Sequence, residues 1–251
     1  MLIEVEEDRL IVISDLHLGN PYSRASRNLS SFVDYVIDGN YSLCINGDGV
    51  DILQGRLGRL TQHVMNVMHL LRKFEAAGGR MYYVVGNHDI VLEQALHTWV
   101  ADYLTPFLNV RSGNLRVRIE HGHTYDAFYV ASPRVYEILG TAATPFLHLY
   151  PDIYRLWSAT ARVRIRAGRA ISDTPEEYAS AEQAAAAMIA NRGFDVVVFG
   201  HTHRAERVAL PRGAVYLNSG NWLRDTSFVQ IADDAATLLD WRESGPVPHP
   251  N

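Results

Sequence analysis

The sequence predicts an α/β protein, and three observations predict it. Short apolar runs at 10–13, 43–45, 81–85, 117–119 and 196–199, bounded by turn-forming residues, have the look of buried strands. Helical patterns stand between them. The chain has 251 residues, 47% of them hydrophobic and 20% charged, which is enough to bury a core and too polar for a membrane bundle.

Taken in order, the first two runs are strands. Val64, Val67, Met68, Leu71 and Phe74 then recur at helical spacing until Gly78 and Gly79 stop the pattern, which predicts the crossover helix of a βαβ unit. The runs at 81–85 and 117–119 give the third and fourth strands. A segment of about 125–192 lacks strand alternation and is expected to be a mostly helical insertion capping the core. Within it, Thr174, Pro175, Glu176 and Glu177 predict a helix start, and that helix runs toward Gly193. After the fifth strand, the runs at 208–210, 214–217, 228–231 and 237–241, with a Pro211, Arg212, Gly213 turn, predict a terminal β-meander. Residues 1–251 are expected to form a single domain carrying this insertion.

Composition excludes several classes. The first eight residues have neither the basic start nor the apolar stretch of a secretory signal. No apolar run approaches the roughly 20 residues of a spanning helix, so any membrane contact is peripheral. A formal charge of −5 offers nucleic acid no general attraction, and none is expected as a partner. The single cysteine, Cys44, precludes an intramolecular disulfide; it is expected to be a buried small hydrophobe in a reducing, cytoplasmic compartment.

The chemistry is concentrated where strands end. The first strand leads into Asp15 and His17, the second into Gly47, Asp48 and Asp51, and the third into Gly86, Asn87, His88 and Asp89. The fourth leads into His121, Gly122 and His123, and the fifth into Gly200, His201, Thr202 and His203. Ligands at the carboxyl ends of neighbouring strands converge on one crevice, so residues distant in sequence can share one metal site. Each turn alone carries little: Asn87 could be an ordinary turn residue, and His201 with His203 a surface pair. Five in succession predict a two-metal centre.

These ordered motifs resemble those of the calcineurin-like metallophosphoesterases. The resemblance implies a four-layer αββα sandwich with two central mixed β-sheets and the helical cap insertion. It also implies Asp15, His17 and His203 on one metal, Asn87, His121 and His201 on the other, and Asp48 bridging both. A bridging carboxylate holds two cations about 3.5–4 Å apart, and a hydroxide shared by them is the expected nucleophile. Oxygen and imidazole donors without a thiolate suit two divalent ions, Mn first, with Fe, Zn or Co as alternatives.

His88 is expected to act catalytically, since its neighbour Asn87 faces the metal while its own ring can point toward substrate; the resemblance implies a proton donor or charge stabiliser at the leaving oxygen, with Asp51 or Asp89 able to orient its ring. Asp51 could equally be a carboxylate at a helix N-terminus. Because the resemblance implies that the first histidine of this motif, His121, binds the metal, His123 is expected either to support a ligand from behind or to face substrate.

The expected activity is metal-dependent hydrolysis of a phosphodiester, pyrophosphate or phosphomonoester bond. Phe146, Leu147, Leu149, Tyr150 and Trp157 form an apolar stripe beside Arg155, Arg162 and Arg166. That suits an amphiphilic phosphoester, small or lipid-linked, approached at the inner membrane surface. A packed helix face with solvated arginines explains the same residues, and a packed face against a second copy allows a homo-oligomer. Placement of the insertion, with Asp126 after His121, is similar to UDP-2,3-diacylglucosamine pyrophosphohydrolases, but His88 stands where those enzymes typically carry arginine. Asn218, Ser219, Gly220, Asn221 and Trp222 read either as a turn bordering the site, with Trp222 on substrate, or as an ordinary turn with a packed tryptophan. The alternatives are a cyclic-nucleotide phosphodiesterase, a nuclease, a protein phosphatase or an inactive binding protein.

Overall fold

The computed structural model describes residues 4–18, 25–49, 69–70, 72–88, 103–131, 180–223 and 225–250. The chain divides into two compact units, Met1–His121 with Ile189–Asn251, and Gly122–Met188.

The first unit contains two mixed sheets. One has seven strands in the order β13 (Gly245–Pro248), β12 (Ala235–Arg242), β11 (Ser227–Ala232), β2 (Leu10–Ile13), β3 (Ser42–Asn46), β4 (Met81–Val84) and β5 (Tyr103–Thr105). The other has six in the order β1 (Glu4–Glu6), β6 (Phe107–Ser112), β7 (Leu115–Glu120), β8 (Val196–Phe199), β10 (Val215–Asn218) and β9 (Glu206–Ala209). Strands β2 to β5 run parallel to one another, as do β7, β8 and β10.

The period of two along each strand sorts side chains between two cores. Leu10, Val12, Cys44, Tyr82 and Val84 face the other sheet, meeting Val110, Val117, Ile119, Val198 and Leu217. Their neighbours Ile11, Ile13, Leu43, Ile45, Met81 and Tyr83 face α1 (Ala25–Asp38). Burial on both faces explains why these strands are unbroken apolar runs rather than alternating ones. Helix α1 contributes Leu29, Phe32, Val33 and Val36, a stripe at i, i+3, i+4 and i+7. Phe32 is the centre of this layer: its ring lies 4.5 Å from that of Trp222, 5.1 Å from Phe228 and 5.4 Å from Trp241. Cys44 is buried and free, and burial pushes its thiol pKa well up, so it is inert packing.

Both described helix ends on this face use the same stop. Asn40, at φ 52°, donates to the Ile37 carbonyl and Tyr41 donates to that of Val36. Gly78 and Gly79 repeat the pattern on Glu75 and Phe74, which bears out the expected end of the crossover helix. Of that helix's predicted stripe, Phe74 is buried in the core, whereas Val64, Val67, Met68 and Leu71 lie outside the described residues.

The terminal strands depart from a simple meander. Strands β9 and β10 belong to the six-stranded sheet, whereas β11, β12 and β13 complete the seven-stranded one, so the chain crosses between sheets at 219–226. Helix α1 and strands β1, β5, β6 and β13 are further elements beyond the expected set.

In the second unit, described residues form a 3-10 turn at His123–Tyr125 and α2 (Ala127–Ala131). Helix α3 (Ala181–Ala190) has the Ser180 hydroxyl accepting the Gln183 N–H at its start; the expected start at Thr174 lies outside the described residues. Among the described residues no helix is long and apolar enough to cross a membrane.

Phe32→Ala removes the ring shared by the contacts with Trp222, Phe228 and Trp241 and the wider one with Tyr35. It is expected to cost about 3–5 kcal/mol in urea unfolding; a loss below about 1 kcal/mol contradicts this packing.

Candidate metal centre

Parallel strands place their carboxyl ends on one side of a sheet, and five of these ends carry the site. Strands β2, β3 and β4 of one sheet deliver Asp15 and His17, Asp48, and Asn87 and His88, while β7 and β8 of the other deliver His121, His201 and His203. Backbone bonds sew the turns together. Asp15 N–H donates to the Gly47 carbonyl at 3.1 Å, His17 N–H to that of Asp48 at 2.9 Å, and Gly200 N–H to that of His121 at 3.0 Å. Across the sheets, His201 N–H reaches Asp15 Oδ2 at 3.2 Å, and within the seven-stranded sheet His88 N–H reaches Asp48 Oδ1 at 2.9 Å.

The local backbone is strained. Among the described residues, nine other than glycine have positive φ, and five of them are Asp15, His17, Asp48, His201 and His203, at 44–65°. Left-handed backbone at such residues costs of order 1 kcal/mol or more each, and is kept where the surroundings force a side chain to aim at a shared point. Two glycines make the convergence feasible. A Cβ on Gly47 would stand 2.2 Å from His121 Nδ1, and one on Gly86 2.3 Å from Asp48 Oδ1.

The ligand atoms themselves come together. Asp15, His17 and His203 form one group, His17, Asp48 and His88 a second, and Asp15, Asp48 and His121 a third, each with its ligand atoms within 4.8 Å. Asp48 Oδ2 is the hub, 3.3 Å from His121 Nε2 and 3.9 Å from both His17 Nε2 and His88 Nε2. His203 Nε2 lies 3.0 Å from Asp15 Oδ1 and 3.4 Å from His17 Nε2. His201 Nδ1 lies 3.2 Å from Asn87 Oδ1, and the His201 ring meets that of His121 at 5.4 Å.

These contacts fit cations better than they fit hydrogen bonding. Asp15 Oδ1 is buried and makes no hydrogen bond despite its close imidazole. His121 Nδ1 donates to the Asn46 carbonyl at 2.8 Å, which leaves Nε2 as the face turned toward Asp48, the tautomer a ligating histidine needs. Burial opposes charge on Asp48, yet His121, His88 and His17 hold its carboxyl well below the usual range. Asp15 is likewise lowered against its burial, chiefly by His203. Burial favours a neutral His121 ring, but Asp48 and Asp15 push its pKa up to about 10. In the protein without metal, protons thus do the work of cations.

Of the expected ligands, Asp15, His17, Asp48, His121 and His203 fall in the three candidate groups together with His88, and Asn87 and His201 lie beside them, paired with each other and with the His201 ring against that of His121. Asp51, Asp89, Arg155, Arg162 and Arg166 lie outside the described residues. His123 belongs to the second unit, where its ring meets that of Tyr129 edge-on at 5.4 Å. Trp222 requires a correction: it is fully buried, its ring packed on Phe32 and its Nε1–H donated to the Ser227 carbonyl, so it is core rather than substrate surface. Sequence reasoning missed Asn46 and Tyr83, which sit behind the second turn. The Tyr83 hydroxyl accepts Gly49 N–H at 3.1 Å, and only a polar tip on an otherwise apolar strand hints at such a role.

Two mixed sheets with a carboxylate and imidazole cluster at the carboxyl ends of their parallel strands define a metal-binding sandwich. A family model described as calcineurin-like phosphoesterase matches residues 8–205, and the chain belongs to that family. Among solved structures, a dimetal phosphatase from Danio rerio is similar at 12% identity, covering 92% of this chain and 95% of its own, with a TM-score of 0.51. Vps29 from Entamoeba histolytica complexed with zinc is similar at 14% identity, covering 96% and 97%, with a TM-score of 0.49. A conserved uncharacterized protein from Streptococcus pneumoniae shares 15% identity, covering 96% and 92%, with a TM-score of 0.43. At 12% identity the likeness to the Danio rerio structure is one of fold. No curated protein matches the chain significantly.

A cation entering this site must displace the His121 proton, whose pKa is raised to about 10. Between pH 6 and 8, Mn affinity of the metal-free protein is therefore expected to rise with pH. At pH 7 the apparent binding enthalpy should vary with the ionisation enthalpy of the buffer. Binding that is independent of buffer contradicts the displaced proton.

Proposed function

We propose that this chain is a hydrolase of phosphoric esters or pyrophosphates that uses two divalent metal ions, with Mn as the working choice. The observation that carries the reading is the hub position of Asp48, whose Oδ2 stands within 3.9 Å of three imidazole Nε2 atoms. Asp15, His17 and His203 would hold one ion, Asn87, His121 and His201 the other, and Asp48 both. When bound, the pair supplies Lewis acidity toward a phosphoryl oxygen and activates water.

The chain's own residues divide the remaining work. His121 and Asp15 are fully buried and hold position, whereas His88 and His203 have side chains 15% and 31% exposed and form the accessible edge. His88 is fixed by its N–H on Asp48 Oδ1 and turns Nε2 toward the same carboxylate. A protonated His88 placed there serves a departing alkoxide, which needs a proton more the worse it is as a leaving group. The substrate reading is an anionic phosphoester of small-molecule or lipid-linked type, met at a membrane surface; the arginines and apolar stripe of 146–166 support it.

His88→Ala is expected to retain two metals and to lose about 10²–10⁴-fold in turnover on esters with poor leaving groups, and much less on p-nitrophenyl esters. Loss of metal instead would make His88 a ligand. Asp48→Ala is expected to lose both ions by elemental analysis. A screen with Mn of p-nitrophenyl phosphate, bis-p-nitrophenyl phosphate, UDP-sugars, cyclic nucleotides and single-stranded DNA separates the substrate classes, and the absence of turnover on all of them contradicts the enzyme reading.

A further inference from the structure

We infer that Asn218 and Asn221 are positioning residues, each setting the geometry of a different histidine and through it a different metal ion. This rests on the two-ion reading above. The turn following β10 lies against the turn following β8 because the two strands are parallel neighbours, with Asn218 opposite Phe199. The Asn218 side chain is fully buried and brackets His201. Its Nδ2 donates to the Gly200 carbonyl at 2.8 Å and to Thr202 Oγ1 at 3.1 Å, while its Oδ1 accepts Gly220 N–H at 3.0 Å.

Asn221, 3% exposed, donates through Nδ2 to the His203 carbonyl at 2.9 Å and to Asp225 Oδ2 at 3.2 Å. His201 and His203 both have left-handed backbone, at φ 65° and 58°, a conformation uncommon outside glycine and kept where the surroundings over-determine it. An amide anchored on the carbonyl or flanking groups of each turn residue supplies the restraint. The same segment reaches the first turn, where Trp222 N–H donates to the Asp15 carbonyl at 3.2 Å and Ser219 Oγ lies 2.8 Å from Ser14 Oγ. A ligand histidine's ring is aimed by its own backbone, which these amides hold, and loss of outer-shell partners that orient a ligand typically costs about 10–100-fold in metal affinity.

The test is calorimetric titration of the metal-free full chain with Mn alone, together with the Mn spin-resonance spectrum of each product. Wild type should bind two ions in resolvable steps and give a spin-coupled signal. Asn221→Ala is expected to weaken one step by about 10–100-fold and leave the other unchanged. Asn218→Ala should weaken the opposite step, and both variants at one equivalent of Mn should show an uncoupled signal. Asn221→Ser and Asn218→Ser, the smaller changes, carry the same expectation where an alanine variant does not fold. Weakening of the same step by both variants, equal weakening of both steps, or wild-type affinities throughout overturns the inference. A wild type that binds fewer than two Mn ions overturns the two-ion reading beneath it, and is seen separately.

Discussion

Two carboxylates, Asp15 and Asp48, are buried within reach of the same imidazoles, and the rest of the structure is organised around that costly arrangement. Removing a carboxylate from water costs several kcal/mol, and a second beside it adds repulsion that only positive charge can offset. Imidazole protons offset it in the metal-free chain, and divalent cations offset it better, with two charges each and fixed direction. A site of this kind reduces stability unless something binds there, which is why it reads as functional rather than structural.

The scaffold meets that cost by distributing it. Parallel strands buried on both faces give rigid stems, and the turns after β2, β3 and β8 bend Asp15, His17, Asp48, His201 and His203 into the left-handed region so that their side chains turn inward. No single turn is stable in that form alone. Asp48 anchors His88 through its N–H, Asp15 anchors His201, and the Asn46 carbonyl fixes the His121 ring. Much of the restraint thus runs between the sheets as well as within them, so the two halves of the cluster are held by each other.

The clustered carboxylates and imidazoles were legible in sequence because their residue types are chemically unusual at strand ends. An Asp, an Asn or a His following each of five apolar runs needs an explanation that turn propensity does not offer. Their partition between two sheets was not legible from strand patterns, since β7 and β8 look like β2 and β3 until pairing is known; the family resemblance supplied the two sheets. Helix α1 escaped although Leu29, Phe32, Val33 and Val36 form a stripe, because its first turn has no acidic residue, its last turn no basic one, and Asn40 does not announce a stop as Gly78 does. Trp222 read either as a substrate contact or as a packed side chain, because an aromatic next to a polar turn has the same sequence appearance whether it faces a ligand or Phe32. Only packing separates the two.

The most direct measurement is anomalous diffraction from crystals of the full chain soaked in Mn. The account predicts two peaks about 3.5–4 Å apart with an Asp48 carboxylate oxygen between them, Asp15, His17 and His203 around one, and Asn87, His121 and His201 around the other. A single peak, or two that do not share Asp48, would contradict it.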